Sequence, residues 1–97
     1  MDTGPLGTLG IGAPFAVAAK LASPAREVVC LFGDGSFALT GSDCETRVRH
    51  RLPFTGIIGN RSHMNQVSYS TRSHLGAENG EVATKLIDVR FSEFARC

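Results

Sequence analysis

Gly33-Asp34-Gly35-Ser36, with Asn60 following after a long gap, are the residues of this chain whose types and spacing could do chemistry. An apolar run, Val28-Val29-Cys30-Leu31-Phe32, leads into the tetrapeptide and predicts a buried strand over 27–32. The glycines let the backbone turn sharply and approach a ligand closely, because neither carries a Cβ. The carboxylate between them is a hard oxygen ligand of the kind that binds Mg²⁺, which usually completes its shell with water and phosphate oxygens. A second apolar run, Phe54 to Gly59, predicts a second strand ending at Asn60. Open parallel sheets bind ligands at the carboxyl ends of their strands, so both polar tips would face one crevice. The chemistry expected there is the holding of a diphosphate and its metal ion.

The elements that must position these tips are readable in part. Gly4, Gly7, Gly10 and Gly12 predict a loop over 4–12. Ala13 to Ala22 is almost wholly apolar and predicts a helix, with Pro14 in a first turn that tolerates it. Ile11, Phe15, Ala18 and Ala22 repeat at helical spacing and would face the sheet. Ser23-Pro24 ends that helix. After the Gly-Asp-Gly turn, Ser42 and Glu45 form a capping-box pattern for a second helix, with Cys44, Val48 and Leu52 as its apolar stripe and Pro53 as its stop. Residues 60–80 show no clear period and read as a long functional loop. Ser92 could cap a last helix beginning Glu93-Phe94-Ala95-Arg96, so the chain is expected to be cut short. The alternation of helix and strand predicts an α/β fold with a partial parallel sheet flanked by helices. Two strands are too few for a stable sheet, so more sequence or a partner is expected.

Composition bounds the partners. The 97 residues make one domain at most, here taken as incomplete at both ends. A formal net charge of +1 points to neither nucleic acid nor a membrane surface. Between Thr46 and Ala77 stand five arginines and three histidines with no Asp or Glu. That stretch would suit an anionic ligand, although a solvated helix face plus a polar loop is the plainer reading. Cys30, Cys44 and Cys97 have no metal-ligand spacing, and reduced thiols in the cytosol are the simplest account. No basic segment leading into an apolar run marks a secretory signal, and a cytoplasmic protein is expected.

The series Gly7-Thr8-Leu9-Gly10, an alanine-rich helix, Gly33-Asp34-Gly35-Ser36 and then Asn60 resembles the thiamin-diphosphate-dependent enzymes. More narrowly, the chain is similar to the diphosphate-binding domain of the acetolactate synthase, oxalyl-CoA decarboxylase and 2-hydroxyacyl-CoA lyase group. Glu45-Thr46, Arg49, Leu52-Pro53 and Asn65-Gln66 extend the similarity. The resemblance implies thiamin diphosphate and Mg²⁺ as cofactors. It makes Asp34 a metal ligand and gives Gly33, Gly35, Ser36 and Asn60 to the diphosphate. The carbonyl of Gly7 would accept from the cofactor's 4′-amino group. Leu9 would be the wedge that bends the two cofactor rings together, or ordinary core. The reaction implied is cleavage or formation of a C–C bond beside a carbonyl, on a 2-keto acid or a 2-hydroxyacyl thioester. A pyrimidine-binding domain or a partner subunit in a dimer would complete the site.

The chain departs from the family at one telling position. There Asn60 is normally followed by a second asparagine that supplies the metal-ligand oxygen, and here the position is Arg61. Guanidinium has five donors, no lone pair and a permanent charge, so it cannot ligate Mg²⁺. Three outcomes stay open. Asn60 shifts by one place and ligates, with the His63 carbonyl beside it; or Arg61 pairs directly with the diphosphate; or the site is degraded. Asn60 can equally be a turn former, and Asn65-Gln66 can line the site or structure the loop. Glu78 and Glu81 lie in the wrong region to be the family's activating glutamate. Turnover by the isolated chain is therefore not expected, and a non-catalytic remnant or interaction module is the alternative. A dinucleotide or P-loop site is disfavoured, since the glycines lack Gly-x-Gly-x-x-Gly spacing and no Gly-Lys-Ser/Thr is present.

Overall fold

The computed structural model describes residues 4–94, so the expected continuation of the last helix through Ala95-Arg96, and Cys97, lie outside the described residues. Strands β1 (Val29–Gly33) and β2 (Thr55–Gly59) pair in parallel, in register from Val29 beside Thr55 to Gly33 beside Gly59. That register decides the site, because both strands stop at the same level. The helices are α1 (Gly12–Ala22), α2 (Asp34–Thr40), α3 (Cys44–Arg49), α4 (Asn65–Leu75) and α5 (Phe91–Phe94).

The core lies on one face of the sheet. Ala13 and Ala16 of α1 meet Phe32, Phe37 and Phe54, with Cys30, Ile58 and Phe91 packed at its margin. Phe37 anchors this cluster through edge-on contacts to Phe32 at 5.3 Å and Phe91 at 5.4 Å. The buried strand expected at 27–32 is therefore covered on one side only. Alternate residues of a strand face opposite sides; Phe32 is buried, whereas Val29 and Leu31 are 61% and 76% exposed.

Other expectations are corrected by packing. The face of α1 expected to bury was Ile11, Phe15, Ala18 and Ala22, but Ala13 and Ala16 are buried instead and Phe15, Ala18 and Ala22 are exposed. The cause is close approach at Gly12, where a Cβ would lie 2.5 Å from the Phe32 ring, so the helix seats on its small residues. Gly-Asp-Gly is not a free-standing turn: α2 begins at Asp34 and buries Phe37. The Ser42–Glu45 capping box does not form, because the chain reaches α3 through a short 3₁₀ turn, Gly41–Asp43, with no side-chain cap. Val48 is exposed, and Arg47 takes the inner position, donating to the Phe54 carbonyl at 3.1 Å and lying over its ring. The long loop expected at 60–80 contains α4, eleven residues long.

The segment after β2 is zipped to the chain's later part. Met64 donates to Thr84 at 2.7 Å and Leu86 donates to Ser62 at 2.9 Å, around an antiparallel bridge of His63 with Lys85. Among the described residues no helix is long and apolar enough to cross a membrane.

Candidate functional site

Because Gly33 and Gly59 are register partners, Asp34 and Asn60 leave the sheet side by side. Asp34 is only 4% exposed, and a buried carboxylate needs partners. It has three. Oδ1 accepts the N–H of Gly35 at 2.8 Å, while Oδ2 accepts those of Arg61 at 3.0 Å and His63 at 3.1 Å. Ser62 makes that double contact possible, because its left-handed backbone (φ 52) turns the two flanking N–H groups toward one oxygen. Such a concavity of backbone donors is an anion nest, occupied here by the protein's own carboxylate. Burial by itself would raise the Asp34 carboxyl, but the three bonded N–H groups of Gly35, Arg61 and His63, helped by the nearby Ser62 N–H, outweigh it and hold the group below its ordinary range.

Beside this carboxylate lies a cleft of about 290 Å³ lined by Leu9, Gly33, Ser36, Arg61, Met64 and Gln66 among others. Leu9 and Ser36 also border a larger open groove of about 1090 Å³, which Gly7 reaches as well. Ser36 ties the glycine-rich segment down, its Oγ accepting the Gly10 N–H at 3.1 Å. Gly10 is held again through its carbonyl by the Thr40 hydroxyl. It must be glycine, with φ at +84 and Leu39 Cβ 3.2 Å from where a Cβ would stand. Leu9, 45% exposed, thus sits on an anchored segment between the two spaces.

The structure brings most of the expected residues together. Gly33, Asp34, Gly35, Ser36 and Leu9 share the cleft, and Gly7 borders the adjoining groove. Asn60 stands at the right level but its carboxamide is engaged elsewhere. Its Nδ2 donates to Asp88 at 3.2 Å and to the Val89 carbonyl at 3.1 Å, and its Oδ1 accepts the Ser62 N–H at 3.2 Å. An Asn accepting from the N–H two residues on is an Asx turn, so Asn60 does the work of a turn former. His63 lines the cleft, its Nε2 3.1 Å from the Ser68 hydroxyl. Asn65 and Gln66 open α4 along the cleft wall. Ser62 and Thr84 are contributors that spacing does not reveal, because their roles are backbone geometry and packing.

The fit of a diphosphate is favourable. Gly33 has an ordinary φ of −81, so its want of a side chain is not needed for turning. A Cβ there would meet nothing within 4 Å, so the glycine leaves space open toward the cleft. For a metal ion the donor set is sparse: Asp34 is the cleft's one carboxylate, and no group of three or more His, Cys, Asp or Glu among the described residues could hold one.

A parallel α/β unit with a polar cleft at its strand ends defines a class of ligand-binding domain. The chain matches, over residues 1–97, the family described as the thiamine pyrophosphate enzyme C-terminal TPP binding domain, and it belongs to that family. It is 44% identical over 78 residues to 2-hydroxyacyl-CoA lyase 2 of Mus musculus, covering 80% of this chain and 12% of the relative. It is 50% identical over 60 residues to a probable acetolactate synthase of Mycobacterium bovis, covering 62% of this chain and 11% of the relative. The chain thus spans about an eighth of the length of the curated relatives it matches.

Proposed function

We propose that this chain forms the diphosphate side of a thiamin diphosphate site in an acetolactate-synthase-like carboligase, decarboxylase or 2-hydroxyacyl-CoA lyase. Its substrates would be 2-keto acids or 2-hydroxyacyl thioesters. The observation that carries the reading is the meeting of both strand tips on Asp34, beside a cleft that Gly33 leaves open. When bound, thiamin diphosphate supplies the carbon nucleophile and the sink for the electrons of the broken C–C bond. The chain's own residues bind and orient. Ser36, whose oxygen already accepts from Gly10, keeps its hydroxyl proton to donate to a phosphate oxygen. Leu9 presents an apolar surface where the small cleft opens into the groove. Asp34 uses three of roughly four acceptor positions on backbone N–H groups, leaving one for Mg²⁺. Mg²⁺ commonly takes a single carboxylate and completes its shell with phosphate and water.

The working unit in this reading is larger than the chain. Val29, Leu31 and Ile57 expose an apolar sheet face that a pyrimidine-binding domain or a partner subunit of a dimer would cover. A cytoplasmic setting is part of the same reading, in keeping with the unpaired thiols of Cys30 and Cys44. Calorimetric titration tests it. Thiamin diphosphate with Mg²⁺ should bind the purified chain and unphosphorylated thiamin should bind far more weakly; equal affinities, or none, would contradict it.

A further inference from the structure

A diphosphate brings several negative charges into a cleft that already contains the ionised Asp34. Arg61 is the one residue lining the cleft whose side chain is permanently cationic. Among the described residues the ion pairs are Glu45–Arg49, Glu81–Arg72 and Glu93–Arg90, none of whose residues lines the cleft, and Arg61 takes no part in them. The backbone of Arg61 is fixed, its N–H donating to Asp34 at 3.0 Å, and no described hydrogen bond engages its guanidinium.

A divalent cation has much less to hold it. Asp34 has about one acceptor position left after its three backbone bonds. Of the other candidate oxygens, that of Asn60 is committed to Ser62 and Asn60 is not on the cleft wall, which leaves the neutral backbone carbonyl of His63.

We infer that Arg61, rather than a divalent ion, is the principal counter-charge to the diphosphate in this chain, and that Asp34 is a positioning residue that holds the 60–63 loop so that Arg61 stands at the cleft. The inference rests on the thiamin diphosphate reading and narrows it: cofactor binding does not require Mg²⁺. A guanidinium is suited to the task, since its flat fork of donors matches two phosphate oxygens at once. The nest around Asp34 then serves to fix the residue that follows Asn60.

The test is titration of the 97-residue chain with thiamin diphosphate, in Mg²⁺ and in EDTA, for the parent, Arg61→Asn, Arg61→Lys and Asp34→Asn, with circular dichroism melts to verify folding. The parent should bind within about threefold under the two conditions. Arg61→Asn should bind about tenfold or more weakly in EDTA, as expected for loss of charge-assisted hydrogen bonds, and recover in part with Mg²⁺. Arg61→Lys, keeping charge without the fork, should fall between. Asp34→Asn should weaken binding by the same factor in both conditions, whereas loss of a metal ligand would weaken only the Mg²⁺ arm. Parent binding that demands Mg²⁺, or Arg61→Asn binding like the parent in EDTA, overturns the inference and leaves the underlying reading standing. No binding by any variant in either condition removes both.

Discussion

Asp34 and His63 meet across the mouth of the sheet, the carboxylate accepting the backbone N–H at 3.1 Å although 29 positions separate them in the chain. With the Arg61 N–H on the same oxygen, this contact joins the start of α2 to the loop beyond β2. The cleft exists because these two tips are joined.

Removing the join has a calculable consequence. Asp34→Ala leaves three N–H groups without their acceptor, that of Gly35 buried and those of Arg61 and His63 partly buried. Even one such orphan costs about 1–3 kcal/mol. Urea denaturation of the variant should show at least that loss of stability. Asp34→Asn should cost less, since its single oxygen still accepts while its NH₂ opposes a donor. A variant as stable as the parent would mean that the carboxylate does not hold the loop.

Acid should act on the same group. The folded chain holds the Asp34 carboxyl below its ordinary value of 3.8, so the unfolded state binds the proton more readily. The stabilisation is fully present above that ordinary value and is lost as pH falls through the lower, folded one. The stability difference between the parent and Asp34→Asn should be flat from neutrality down to about pH 4 and shrink below it. A difference that already shrinks between pH 7 and 5 would assign the effect to another group.

Ser62 offers a backbone test. Its φ of 52 aims two N–H groups at one oxygen, a conformation that β-branched residues resist. Ser62→Val should destabilise the chain by about 1–2 kcal/mol. Ser62→Gly should be nearly neutral, its relief of strain offset by a more flexible unfolded chain. Thermal melts of the two variants decide this; equal melting temperatures would show that the turn is not under that constraint.

The parts of this architecture that were legible are those with a hydrophobic signal. Val28 to Phe32 and Phe54 to Gly59 are apolar runs ended by glycine, and both are strands in the positions expected. The alanine-rich helix was equally plain, but its inward face was not, because that face was chosen by contact between Gly12 and the Phe32 ring. Helix α4 carried no such signal. Only Ser68 is buried along it, and it is held through Gly80, where a Cβ would lie 2.5 Å from the Arg72 Cα. A helix fixed by one glycine contact and polar bonds such as Thr71 Oγ1 to the Gly80 carbonyl shows no apolar stripe. At the site, residue types singled out Asp34 and Ser36, which the fold brings together in the cleft. The direction of the Asn60 carboxamide depended on Asp88 and Val89, which no local pattern ties to it.

In the proposed site thiamin diphosphate sits between the two strand tips. Titrating the isotopically labelled chain with thiamin diphosphate, and following each backbone amide by NMR, tests it most directly. Shifts should concentrate at Gly33–Ser36 and at 61–67, with smaller ones near Leu9, and titrate together. Shifts confined to the aromatic face around Phe37 and Phe91, or none at the two tips at saturation, would contradict it.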